Sequence, residues 1–420
     1  MHIPSPSVLT TLLAGLLAAS QATAAPVASK GLKPIKQVQL GPRPYYLVDD
    51  LEDGPLKKKL ASCTNKKMKA SSWSIAHRGA SLQFPEHSRE ANLAAARMGA
   101  GILECDVAFT KDRELVCRHS QCDLHTTTNI VNIPELNAKC TKPFSPAKDG
   151  KPAAAKCCTS DITLKEYRTL CAKMDGFNAS ATTPEAYLRG TPDWRTDLYS
   201  TCGTVMTFKE HLALTRDLGL KHTPELKTPE VKMPFEGDYT QKMYAQQLID
   251  TIVEARVQPK DVFVQSFLYD DILYWLKATP AFGKQALYLD NNGDAPGSLA
   301  NAAAKLKQYA KDGLKYIAPP INYLVANKNG AIVPSSYAQE AKKRGLKIVT
   351  WSLERSGRIA DVHKNGNSYY GPIQEIVTTD GDIFRVLDVL WQKVGVVGVF
   401  SDWAATTTYY ANCFGISLRK

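Results

Sequence analysis

The sequence predicts an α/β fold, a TIM-type (β/α)8 barrel with a disulfide-containing insertion, and three observations carry that prediction. Eight apolar runs recur between residues 74 and 400, each bounded by turn residues. Helical segments separate most of them, the pattern of parallel strands joined by crossover helices. The regularity breaks between His119 and Gly219, where six cysteines from Cys122 to Cys202 gather. Eight units argue for closure into a barrel; an open, doubly wound sheet has the same local pattern and is the alternative.

Residues 1–24 read as a secretory signal. Residues 8–19 are apolar and rich in Leu and Ala, and Ala22-Thr23-Ala24 supplies the small residues a signal peptidase accepts. Residues 25–72 form a lead-in, with one short strand expected at 45–48. An exposed basic arm is expected around Lys57-Lys58-Lys59 and Lys66-Lys67. The barrel is expected over 73–420, with strands at 74–76, 101–107, 220–227, 262–267, 285–289, 316–318, 346–351 and 396–400. Helices are expected at 88–98, 239–255, 298–312 and 335–344. Ser88 is a good N-cap for the first helix, and Gly99 a good stop. The insertion, at about 120–219, grows on a strand-to-helix loop, the barrel face on which substrate sites are built.

Composition narrows the function classes. Hydrophobic residues at 44% and charged residues at 22% are ordinary for a folded globular chain, so disorder is not expected. The net charge of +11 favours anionic partners. The excess is spread along the chain without an aromatic-interleaved basic motif, so nucleic acid is not expected. No stretch beyond the signal is long and apolar enough to span a membrane. The end, Ser417-Leu418-Arg419-Lys420, is not a hydrophobic anchor signal. A secreted, extracellular location is therefore expected. Ten cysteines fit that compartment as disulfides. A zinc site is disfavoured, because no Cys-x-x-Cys pair recurs and no His pair has finger spacing. Asn178-Ala179-Ser180 is a glycosylation acceptor in the same region.

Chemistry concentrates at expected strand ends. The first strand runs into His77-Arg78-Gly79, the second carries Glu104-Cys105-Asp106, and a later one carries Glu225-Leu226-Lys227. Residues two apart on a strand share a face, so Glu104 and Asp106 point together, as do Glu225 and Lys227. Carboxylates facing a barrel interior are costly unless compensated. Salt bridges to Arg78 or Lys227 would do this for a single pair. Two such pairs on separate strands favour a hard divalent cation, Ca²⁺ or Mg²⁺, held by Glu104, Asp106 and Glu225. A short strand at 114–118 is expected to return as a hairpin and bring His119 back toward Glu104 and Asp106. His77 and His119 are then two proton-transfer groups for a bound phosphate.

These residues also carry a resemblance. His77-Arg78-Gly79-Ala80, Pro85-Glu86-His87-Ser88, Leu103-Glu104-Cys105-Asp106-Val107, Thr110-Lys111-Asp112, Leu115-Val116 and His119 resemble the signature of glycerophosphodiester phosphodiesterases. The likeness is dense over 74–128 and returns at Glu225-Leu226-Lys227. It is weaker at Gln265-Ser266-Phe267, Thr350-Trp351 and Gly398-Val399-Phe400-Ser401-Asp402. It implies an α/β barrel enzyme that hydrolyses a small glycerophosphodiester to glycerol 3-phosphate and an alcohol. It also implies metal ligands Glu104, Asp106 and Glu225, acid/base histidines His77 and His119, phosphate contacts from Arg78 and Lys227, and Trp351 in the pocket. Two positions depart from the family pattern. His87 stands where Asn is common, which is expected to affect a turn. Ser120 stands where Asp is common, which removes a partner for His119. The rival readings are a phospholipase-D-like enzyme on lysolipid or sphingolipid, and a catalytically silent secreted binding protein on the same scaffold. The sequence sets no oligomeric state.

Overall fold

The structure, a computed structural model, describes residues 32–362, 364 and 369–418; the signal segment expected at 1–24 lies outside them. Eight strands close into a parallel ring: β1 Ser71–Ala76, β2 Ala100–Phe109, β3 Lys221–Leu226, β4 Gln265–Ser266, β5 Leu287–Leu289, β6 Tyr316–Ala318, β7 Lys347–Leu353 and β8 Gly398–Ser401. Ile75 pairs with Ile102 on one side and with Phe400 on the other, so β1 bonds to both β2 and β8. The closed barrel, not the open sheet, is the architecture. Each expected run overlaps one of these strands.

A helix follows each strand before the next begins: α1 Arg89–Arg97, α2 Phe208–Asp217, α3 Gln241–Glu254, α4 Tyr269–Ala278, α5 Leu299–Lys311, α6 Ser336–Lys343, α7 Ile383–Val389 and α8 Ala404–Phe414. Local chemistry sets their starts. Ser88, Thr207, Thr240 and Ser335 each accept a hydrogen bond from the backbone N–H three residues on, satisfying a donor that the helix itself leaves free.

Alternation divides the core into two layers. Ile75, Ile102, Leu287, Leu289, Val349 and Phe400 fill the barrel floor. The opposite faces of the same strands, such as Leu103, Cys105 and Val107 on β2, pack under the helices. Among the described residues no helix is long and apolar enough to cross a membrane.

Three sequence expectations differ from the structure. The strand expected at 45–48 lies inside the helix Arg43–Asp50. Pro44, Leu47 and Val48 are buried at helical spacing, and tertiary packing overrides the local β-propensity of the tyrosines. Lys58, Lys59, Lys66 and Lys67 are exposed as expected, but the segment is not a free arm: Leu60 is buried in the helix Pro55–Ala61, Cys63 is bonded to Cys413 of α8, and Lys66 Nζ donates to the Asn412 carbonyl at 2.5 Å. The stretch 208–217, placed by the sequence within the insertion, is the barrel helix α2.

The insertion ahead of α2 has its own small core of Leu124, Ile130, Val131, Leu136, Ile162 and Tyr167. Disulfides Cys122–Cys158, Cys140–Cys157 and Cys171–Cys202 staple it. All ten cysteines are paired, the remaining bridge being Cys105–Cys117.

Candidate active site

The inward-facing positions at the C-terminal ends of the strands carry the polar residues. On β2, Ile102, Glu104 and Asp106 follow one another on the inner face, so the strand passes from apolar floor to acidic mouth. The register places Asp106 beside Glu225 of β3, and Glu225 beside Gln265 of β4. Glu104, Asp106 and Glu225 are buried, and a carboxylate oxygen from each lies within 4.8 Å of the other two. The sequence expectation that these three meet holds.

Their partners are short of positive charge. Lys227 Nζ lies 2.6 Å from Glu225 Oε1. Arg78 divides its guanidinium between Glu86, at 3.3 Å, and Asp106, at 3.8 Å. Glu104 is met by neutral donors: the Arg78 N–H at 2.8 Å and Gln265 Nε2 at 3.0 Å. The salt bridges weighed against a metal are thus present, yet they leave the three carboxylates with a surplus of negative charge. Burial and the neighbouring Asp106 and Glu225 push Glu104 well above the usual carboxylate range. Burial raises Glu225 to about 7 against the pull of Lys227. For Asp106 burial is outweighed, and His87, Lys227 and Arg78 hold it below the ordinary value. Asp106 Oδ1 is buried with no hydrogen-bond partner. An all-oxygen set with an orphaned acceptor and excess charge fits a hard divalent cation.

The turn after β1 explains how Arg78 reaches this cluster. Arg78 and Gly79 both have left-handed backbones, at φ 59° and 90°, which turns the Arg78 N–H onto Glu104. A Cβ on Gly79 would stand 2.7 Å from the Cβ of Ala91 in α1, so only glycine fits there.

His77 Nδ1 lies 2.5 Å from Asp402 Oδ1 and 2.9 Å from Ser352 Oγ. Burial lowers the His77 pKa to about 4 despite Asp402, so the ring is neutral at neutral pH. His77, Arg78, Glu104, Glu225, Gln265 and Trp351 are among the walls of a cavity of about 60 Å³. Trp351 donates from Nε1 to the Ala318 carbonyl at 2.8 Å and meets Phe267 and Tyr369 edge-on.

His119 sits one step away. The strand Leu115–Cys117 returns antiparallel to β2, as expected, and Arg118 N donates to the Asp106 carbonyl at 2.7 Å. The ring of His119 does not line the cavity. Its nitrogen lies within 4.8 Å of carboxylate oxygens of both Glu86 and Asp123. Glu86 and Asp123, rather than the residue at 120, are therefore the carboxylates near His119. His87 does more than shape a turn: its Nε2 lies 2.8 Å from Asp106 Oδ2. Asn178 is half-buried in the insertion next to exposed Ser180, and its side-chain oxygen accepts from Ser180 N at 2.9 Å.

The sequence alone assigns no role to Glu86, Asp402, Arg195 or Arg355. Glu86 and Asp402 stand inside the recognisable motifs, whereas Arg195 lies in the insertion and nothing local marks it.

A profile of the Glycerophosphoryl diester phosphodiesterase family matches residues 77–406. The chain is 50% identical over 245 residues to a protein of Arthroderma benhamiae named "Extracellular protein", covering 58% of this chain and 100% of that one. It is 25% identical over 381 residues to a Haemophilus influenzae protein named "Glycerophosphodiester phosphodiesterase", covering 82% and 91% of the two chains. A solved structure from Silicibacter pomeroyi shares the fold, with a TM-score of 0.52 at 18% identity, over 86% of this chain and 98% of that one.

Proposed function

The chain belongs to the glycerophosphoryl diester phosphodiesterase family, and on that premise we propose that it hydrolyses glycerophosphodiesters to glycerol 3-phosphate and an alcohol. The observation that carries this reading is the convergence of Glu104, Asp106 and Glu225 from two neighbouring strands, beside Arg78 and His77. The three carboxylates would hold one divalent cation, Ca²⁺ or Mg²⁺. Such an ion, when bound, supplies positive charge to a phosphodiester whose oxygens gain negative charge in the transition state.

The chain's own groups do the rest. Arg78 and Lys227 bind the non-bridging phosphate oxygens. His77 gives its Nδ1 proton to Asp402 in a hydrogen bond, which leaves Nε2 as a lone pair able to take the proton of the attacking hydroxyl or water. His119, between Glu86 and Asp123, serves as the second proton-transfer group, so that between them the two imidazoles take one proton from the nucleophile and return one to the leaving alcohol. Trp351 and Phe267 give the glycerol moiety an apolar wall. The paired cysteines and the relative named as extracellular support export from the cell, and Asn178 would carry a glycan.

The test is an assay of the purified full chain on glycerophosphocholine and related glycerophosphodiesters, with sphingomyelin and lysolipid alongside. It is run after chelation and after Mg²⁺ or Ca²⁺ is restored. Activity on the glycerophosphodiesters should vanish with chelator and return with metal, and His119→Ala should lower kcat by about 10²–10⁴-fold. Near-full activity of His119→Ala would remove it from the mechanism, and turnover of the lipids alone would move the enzyme to another substrate class.

A further inference from the structure

A line of buried and half-buried charges runs from the insertion into the barrel and ends on His77. Asp402, directly after β8, is fully buried, and its Oδ1 holds His77 Nδ1 at 2.5 Å. Its other oxygen, Oδ2, accepts from two guanidinium groups. One is Arg355 Nη1 at 3.2 Å, from the segment after β7. The other is Arg195 Nη2 at 3.4 Å, from the insertion. Arg195 is only 7% exposed, and its Nη1 lies 3.8 Å from Asp175 Oδ2, also in the insertion. Arg195, itself part of the disulfide-stapled segment, therefore joins that segment directly to the carboxylate that aims the site histidine, while Arg355 reaches the same Asp175 from the barrel side.

Arg355 alone is a poor anchor for Asp402. The same Nη1 lies 3.4 Å from Glu86 Oε2, and Nη2 lies 3.9 Å from Asp175, so its charge is shared three ways. Among these acids Arg195 is paired only with Asp402 and Asp175. Without it, Asp402 can rotate about its side-chain bonds toward whichever cation remains, and the imidazole it holds turns with it. A planar fork resists that rotation in a way a point charge does not.

We propose that Arg195 is a positioning residue for His77: through it the insertion fixes Asp402 and so sets the direction of the imidazole at the reacting phosphate. The insertion then does more than shape access to the barrel mouth. It completes the site. The inference rests on the reading of His77 as a proton-transfer group, and its test separates the two.

The test compares the full chain carrying Arg195→Ala, Arg195→Lys, Asp175→Ala or His77→Ala, using glycerophosphocholine at saturating Mg²⁺ and a thermal melt of each variant. Arg195→Ala should lose kcat by about tenfold or more at a nearly unchanged KM, the signature of lost orientation rather than lost binding. Arg195→Lys should recover part of the loss, and added guanidinium ion should raise the kcat of Arg195→Ala but not of wild type. Asp175→Ala removes the longer contacts to Arg195 and Arg355, at 3.8 and 3.9 Å, but leaves both guanidiniums on Asp402, so it should cost clearly less kcat than Arg195→Ala even where it lowers Tm. Wild-type kcat in Arg195→Ala overturns the inference, as does an equal kcat loss in Asp175→Ala. Should His77→Ala itself retain activity, the reading of His77 falls with it; an inactive His77→Ala beside a fully active Arg195→Ala sinks this inference alone.

Discussion

His87 Nε2 donates to Asp106 Oδ2 at 2.8 Å, with the histidine wholly buried, so a residue of the segment between β1 and α1 orients one of the metal candidates. Burial lowers the pKa of that imidazole against the pull of Asp106, and Asp106 is left with Oδ1 free to face a cation. Partners of this kind set the direction and basicity of a ligand.

Replacing His87 should therefore weaken cation binding without touching the three carboxylates. His87→Ala is expected to reduce Mg²⁺ affinity by about 10–100-fold, measured by calorimetric titration of the chelated protein. His87→Asn should lose less, since Asn keeps a donor and tolerates the φ of 57° found there. Unchanged affinity in His87→Ala would confine the residue to a packing role.

The Cys105–Cys117 bridge should matter for both stability and rate. Cys105 lies between Glu104 and Asp106 on β2 but points outward, and Cys117 stands two residues before His119. The bridge thus clamps the hairpin that returns His119 to the site. Cys105→Ala/Cys117→Ala should lose about 3 kcal/mol of unfolding free energy, as expected for a short closed loop. It should also lower kcat more than the Cys63→Ala/Cys413→Ala pair does. Denaturant melts and steady-state kinetics read the two effects, and equal kcat in both double variants would contradict the clamp.

Acid should destabilise the fold through buried histidines away from the site. Burial lowers the His222 pKa from 6.5 to about 3. Its contribution is fully present above pH 6.5 and is lost as pH falls toward 3, because the unfolded chain binds a proton that the folded chain refuses. The slope from this group reaches about 1.4 kcal/mol per pH unit. His222→Gln should flatten the stability curve over that window when unfolding is followed by urea titration at several pH values. A curve parallel to wild type would show that His222 is not the group responsible.

Asn178 should carry a glycan when the chain passes through a eukaryotic secretory pathway. Asn178→Gln is expected to migrate faster than wild type, and enzymatic deglycosylation should bring the two together. Equal mobility before treatment would leave the acceptor unused.

The strands were legible because each buries one apolar face and ends on a turn, and the acidic pairs were legible because alternation fixes their direction. Glu104, Asp106 and Glu225 needed only that rule and the assumption of adjacent strands. Helix α2 was missed although Thr207-Phe208-Lys209-Glu210 spells a capping box, because the cysteine-rich stretch before it drew the boundary too far. The helix Arg43–Asp50 was missed because its stability comes from Leu47 and Val48 packing onto the barrel, not from local propensity. Arg195 and Arg355 could not be found from sequence, since their partners Asp402, Asp175 and Glu86 are brought to them only by the closed barrel and the folded insertion.

Whether three acids share one ion is open to direct sight. Crystals of the full chain grown with Mn²⁺ in place of Mg²⁺ would give an anomalous signal at the bound metal. One peak should appear about 2.0–2.6 Å from an oxygen of each of Glu104, Asp106 and Glu225. A peak that leaves Glu225 on Lys227 and outside coordination, or no peak between β2 and β3 at saturating Mn²⁺, would contradict it.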